Sequence, residues 1–150
     1  MIKFTATVSS RSSASLGGPP GEAKLLELNP GRRQLLLGAT GWGYLYPGSL
    51  NLEVIEDIVC QLASCSPLVC EEPDTVHYPE PYSRIPRLRA GYLYYLAMIS
   101  RGDKEAAALI RRARNPIPTR VEGFSDRFLR EHLGLTDGDK VICKVYDTPV

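Results

Sequence analysis

Short period-two segments separated by turn-forming residues set the strongest limit on what this chain can become. Ile2 to Val8 alternates apolar and polar residues and includes two threonines, the pattern of a strand with one buried face. Leu50 to Val54 alternates in the same way, Lys140 to Tyr146 reads as a strand after the turn Asp137-Gly138, and Gly91 to Ile99, dense in Tyr and Leu, reads as a buried strand. Several strands of this length leave open hydrogen-bonding edges unless the sheet closes on itself. The expectation is therefore a mainly β barrel with one or two short helices, formed by residues 1–150 as one domain.

The remaining segments are less strongly patterned. Lys24 to Leu28 and Arg33 to Thr40 are short apolar stretches on either side of Asn29-Pro30-Gly31, which predicts a hairpin. Ser64 to Pro86 is polar and proline-containing and predicts a long irregular excursion. Asp103 followed by Lys104 to Arg114 has helical propensity around Ala-Ala-Ala-Leu-Ile, with Asp103 as candidate N-cap, while the apolar centre leaves a strand open as the alternative. Ser125 is expected to cap a short helix carrying Phe128, Leu129 and Leu133, with Gly134 at its C′ position.

Eighteen basic and seventeen acidic residues nearly cancel, so the totals do not predict the broad basic face of a nucleic-acid binder. No apolar run approaches the roughly 18 residues of a membrane span, and the first residues do not form a signal-type apolar stretch. These features predict a cytoplasmic protein without membrane contact. Cys60, Cys65 and Cys70, with His77 nearby, lack the close Cys-x-x-Cys spacing of tetrahedral metal sites, and they read as small buried hydrophobes in thiol form.

The most informative motif is Tyr46-Pro47-Gly48-Ser49-Leu50-Asn51-Leu52. On a strand entered from Pro-Gly, Ser49 and Asn51 share one face and present a hydroxyl and a carboxamide side by side. Two such hard oxygens are a fragment of a magnesium site, since magnesium takes few protein ligands when nucleotide phosphates complete its shell. The same five residues also serve as an ordinary turn and strand start.

That motif, with the later block Leu129-Arg130-Glu131-His132-Leu133-Gly134-Leu135-Thr136-Asp137-Gly138-Asp139-Lys140-Val141, resembles the archaeal CTP-dependent riboflavin kinase family. The family carries a Pro-Gly-Thr-Leu-Asn turn and an ending of the type Leu-Arg, helix, Asp-Gly-Asp, strand, in this order and at comparable separation. The resemblance implies a compact six-stranded cradle-loop barrel acting as a transferase. It would move the γ-phosphoryl of CTP onto the ribityl hydroxyl of riboflavin, giving FMN and CDP. It implies magnesium on Ser49 and Asn51, with Ser49 in place of the family threonine. Glu122 falls on the flavin-contacting glutamate, and Phe128, Leu129, Arg130 and Glu131 fall where the family holds the nucleotide.

Two departures stand beside these matches. The family's Gly-x-Gly-Glu-Gly nucleotide loop corresponds to Leu16-Gly17-Gly18-Pro19-Pro20-Gly21-Glu22-Ala23, where Gly17, Gly18, Gly21, Glu22 and the following Lys24 are the candidates for the nucleotide, CTP or ATP. Its prolines remove backbone donors of the kind that cradle phosphates. A family threonine on the flavin is replaced near Arg114, where Arg111 and Arg112 also stand; such a cluster suits an anionic acceptor, or else forms the wet face of a helix. A non-catalytic barrel that binds nucleotide or flavin as a sensor, and a plain interaction domain, are the alternatives to a kinase.

Overall fold

The computed structural model describes residues 1–9, 30–72, 74–76, 87–89, 91–114 and 119–147. Its strands are β1 (Ile2–Ser9), β2 (Leu50–Glu53), β3 (Val69–Cys70), β4 (Asp74–Val76), β5 (Arg87–Arg89), β6 (Tyr92–Arg101), β7 (Lys104–Ala113), β8 (Arg120–Phe124) and β9 (Lys140–Val145). Its helices are α1 (Pro30–Thr40), α2 (Glu56–Leu62) and α3 (Leu129–His132).

Six strands close a ring in the order β1, β2, β8, β7, β6, β9 and back to β1, every neighbouring pair antiparallel. The mainly β barrel expected from the alternating segments is present, with three helices among the described residues instead of one or two. Closure works because β6 is long. Its Ala97 to Ser100 half pairs with β9, while its Tyr94 and Leu93 pair with the short β3. β4 and β5 form a separate two-stranded ribbon, so the 64–86 stretch contains strands where an irregular excursion was expected.

Alternation divides the apolar residues into two cores. Leu50, Leu52, Ile110, Val121, Tyr95, Ile99 and Val141 fill the barrel, and Ile58, Val59 and Leu62 of α2 pack onto the same cluster. A second core lies on the outer face of β6, β7 and β8, where Tyr94, Leu109 and Phe124 meet Leu36 of α1, Leu45 and Val69. Residues 109–111 show the division: Ile110 belongs to the inner core, while Leu109 belongs to the outer one and Arg111 shares its face.

Three local expectations are corrected. Residues 33–40 are helical, not a hairpin arm; Pro30 opens α1, and Gly41, at φ 75°, ends it with its N–H on the Leu37 carbonyl at 2.9 Å. Lys24 to Leu28 lie outside the described residues. Residues 104–113 are strand β7, paired with β6 over ten residues, and Asp103 belongs to the hairpin turn. Ser125 does not cap α3: its hydroxyl donates to the Ala107 carbonyl at 2.8 Å, and Phe128 holds the N-cap position. Gly134 does follow the helix with φ 64°, as expected of a C′ glycine.

Of the cysteines, Cys65 and Cys143 are buried while Cys60 and Cys70 are exposed, so the buried-hydrophobe expectation for the first three holds only at Cys65. Burial pushes the Cys143 thiol up to about 12. Among the described residues, no group of three or more His, Cys, Asp or Glu side chains stands together as a metal cluster; His77 lies outside them. No helix among the described residues is long and apolar enough to cross a membrane.

Candidate functional site

The turn before β2 and the segment before α3 meet at one cavity of about 320 Å³. Residues 46–50 form one wall, residues 127–130 the facing wall, and Gly123 and Ser125 lie between them. This volume is at the lower end of the roughly 300–1,000 Å³ of small-molecule pockets. Two sequence blocks some eighty residues apart therefore share a single concave surface.

Backbone bonding fixes this meeting. The Tyr46 N–H donates to the Ser125 carbonyl at 2.9 Å, joining the turn to the end of β8. Gly48 donates to the Tyr46 carbonyl at 2.9 Å, and a Cβ on Gly48 would meet the Tyr46 ring at 3.2 Å, so glycine lets the ring fold back over the turn. Tyr46 then stacks on Phe128, ring centroids 4.7 Å apart and planes 7° from parallel. At the cavity floor, Gly123 sits against Ile99 and Leu50 of the barrel core; an added Cβ would come within 3.1 Å of the Ile99 side chain.

Polar groups sit around this apolar body. Arg130 reaches the Ser9 carbonyl at 3.1 Å and the Asp137 carboxylate at 2.8 Å, tying α3 to β1 and to the turn before β9. Arg127 is exposed and bonds Asp126 at 3.2 Å. Among the described residues, the cavity lining contains no carboxylate and no imidazole.

Ser49 lines the cavity, and its hydroxyl donates to Oε1 of Glu122 at 3.4 Å. Asn51 does not line it. It stands one step along the same face of β2, opposite Glu122 of β8 in the strand register, while Leu50 and Leu52 point into the barrel. Glu122 in turn stands opposite Arg111 of β7, and the two form an ion pair through Oε2. Ser49, Asn51 and Glu122 are thus neighbours.

Other expected site residues are distributed differently. Phe128, Leu129 and Arg130 line the cavity, whereas Glu131 is exposed and outside the lining. Gly17, Gly18, Gly21, Glu22 and Lys24 lie outside the described residues. The three arginines do not form one anion site. Arg111 pairs with Glu122; Arg112, on the opposite face of the strand, donates to the Tyr95 hydroxyl at 3.0 Å; Arg114 bonds the Glu71 carbonyl at 3.1 Å and the Glu72 carboxylate at 3.4 Å. They lie at the end of a strand, which also removes the helical wet face as an explanation.

The sequence reading missed what lies behind Glu122. Arg111 is 5 % exposed, its guanidinium 4.0 Å from the Tyr92 ring centroid and 4.9 Å from that of Phe124. Nearby, buried Arg32 of α1 donates to the Tyr94 hydroxyl at 2.8 Å, and that hydroxyl donates to buried Glu71 at 3.2 Å. Burial pushes the Tyr94 phenol up despite its cationic neighbours. The signal available in the sequence was the pairing of Arg111 with the aromatic-rich strand before it, legible only once residues 104–113 are read as a strand.

No family model matches the chain, and no curated protein matches it.

Proposed function

We propose that this barrel is a phosphotransferase related to riboflavin kinase, moving the γ-phosphoryl of a nucleotide, CTP by resemblance, onto riboflavin or a related small hydroxyl acceptor. The observation that carries this reading is the shared cavity. The Tyr46–Leu50 and Phe128–Arg130 segments, which carry the resemblance to that family from opposite parts of the chain, are its two facing walls. Arg127 and Arg130 bring positive charge to the wall opposite Ser49, and the stacked Tyr46 and Phe128 rings supply an apolar surface.

The donor set suits magnesium. Ser49 and Asn51 offer neutral hard oxygens on one strand face next to the Glu122 carboxylate, and nucleotide phosphates would supply the remaining negative charge. Ser49 and Asn51 would hold the ion, whose contribution is to offset charge on the transferring phosphoryl group. In the transfer, the acceptor hydroxyl oxygen bonds to the γ-phosphorus as the bond to the β,γ-bridging oxygen breaks. The nucleoside diphosphate leaves, and the hydroxyl proton passes to phosphate or water. Such chemistry rests on positioning and charge, so a lining without a carboxylate or imidazole is compatible with it.

That same lining favours a second reading, a non-catalytic barrel that binds nucleotide or flavin as a sensor. Calorimetric titration with riboflavin, FMN, CTP and ATP, with and without magnesium, followed by a turnover assay, separates the two. Formation of FMN from riboflavin supports the kinase; binding without turnover supports the sensor; silence across the panel overturns both. Asn51→Ala should weaken nucleotide binding in magnesium by about tenfold or more, the scale of a disturbed metal site, and change little without magnesium. Equal affinity of the variant and wild type in magnesium would remove Asn51 from the site.

A further inference from the structure

We propose that Arg111, which is not among the residues lining the cavity, is a positioning residue for acceptor binding, acting by fixing the Glu122 carboxylate. The inference rests on the riboflavin-kinase-like reading of the cavity. Its basis is the division of labour between the two carboxylate oxygens: Oε2 is held by Arg111, and Oε1 is turned to the Ser49 hydroxyl, which lines the cavity. A glutamate alone has three side-chain torsions to order before it accepts a hydrogen bond in one direction. Arg111 removes that freedom because its own side chain is immobilised.

The immobilisation comes from the outer core. The Arg111 guanidinium lies over Tyr92 at 4.0 Å and beside Phe124 at 4.9 Å, and the residue is 5 % exposed. A planar cation packed on aromatic faces, with a terminal guanidinium nitrogen on one carboxylate oxygen, sets the orientation of that carboxylate in a way a lysine ammonium does not. Arg32 of α1 lies over Tyr92 and Phe124 as well, at 5.7 and 5.8 Å, and is balanced by Glu71 at 3.3 Å. Other charges on β8 and its flanking strands are Arg120 of β8, Glu53 of β2, which stands opposite Arg120 in register, Arg112 on the opposite face of β7, and Lys104 and Glu105 at the far end of β7. One line of contacts from Arg111 to the cavity runs through Glu122 and Ser49.

The test is a double-mutant cycle read by riboflavin and CTP titration in magnesium, with melting temperature recorded for each variant. Arg111→Gln should weaken riboflavin binding about tenfold or more, as should Glu122→Gln, while the double variant loses no more than the worse single variant. CTP affinity should fall less than riboflavin affinity in every variant, since the nucleotide side meets the carboxylate only by way of the Ser49 hydroxyl in this reading. Arg111→Lys keeps the charge but not the planar group packed on the rings, so its riboflavin loss should be smaller, about fivefold, and should vanish in the Glu122→Gln background. If Arg111→Gln does not fold, that Lys pair completes the cycle.

A purely structural Arg111 would give lower melting temperatures with additive losses, or equal losses for CTP and riboflavin, and either result overturns the proposal. Wild type that binds CTP and riboflavin while the cycle is additive removes the positioning role and leaves the functional reading intact. Wild type that binds neither ligand overturns both.

Discussion

Asp139 shows how a single side chain stabilises a turn that the site depends on. Its carboxylate accepts the Thr136 N–H at 2.8 Å and the Thr136 hydroxyl at 3.2 Å, and it pairs with Arg101 at the end of β6. The Thr136 backbone bond, helped by Arg101, holds the Asp139 carboxyl below its ordinary value of 3.8. A carboxylate whose folded value is depressed contributes stability above its unfolded value and loses that contribution as pH falls through the folded one. Asp139→Asn should therefore melt below wild type at neutral pH, and the gap should close as pH drops below 3.8. A gap of constant size from pH 7 to pH 2.5, measured by thermal melts, would show that the charge of Asp139 contributes nothing. Asp139 lies in the Asp-Gly-Asp block that gave the resemblance its second half, so its physical role accounts for that residue without any ligand.

At the scale of elements, the β6–β7 hairpin is the clearest case of tertiary pairing overriding local propensity. Lys104 to Ala113 contains three consecutive alanines, yet it pairs over ten residues with a strand rich in Tyr and Leu. The two residues between the strands argue against a helix. Gly102 has φ 61° and Asp103 has no positive φ, the arrangement of a two-residue turn with glycine first, and Gly-Asp between apolar runs is a hairpin signal. α1 carries boundary signals of the same kind, a proline that opens it and a glycine that closes it, but weak apolar periodicity let the segment read as a hairpin arm. The alternating strands β1, β2 and β9 were readable because each has one buried face. The Ser49–Glu122 contact was not legible, because strand register is not written in local sequence. Gly102→Ala should cost about 1 kcal/mol by placing a Cβ in the left-handed region. Chemical denaturation checks this, and no loss would mean that the turn relaxes to another type.

For the whole molecule, closure makes distant segments interdependent. β1 and β9 lie at opposite ends of the described chain, yet they pair over six residues and complete the ring through β6 and β2. The cavity inherits this dependence: Arg130 grips the Ser9 carbonyl at the end of β1, and Gly123 rests on Ile99 of β6. A ring of six strands has no internal edge at which opening could stop, because losing one pairing exposes two edges and the core between them. Amides in the β1–β9, β6–β9 and β6–β7 ladders should therefore exchange hydrogen together, at the rate set by global unfolding. β3 pairs with β6 over only two residues, outside the ring, and should exchange faster. Leu36→Ala, which removes a fully buried side chain from the outer core, should cost about 2–5 kcal/mol and accelerate exchange in all three ladders alike. Acceleration confined to β6 and β7 would show that the outer core is a separate cooperative unit, and that α1 is able to detach while the barrel and its cavity remain closed.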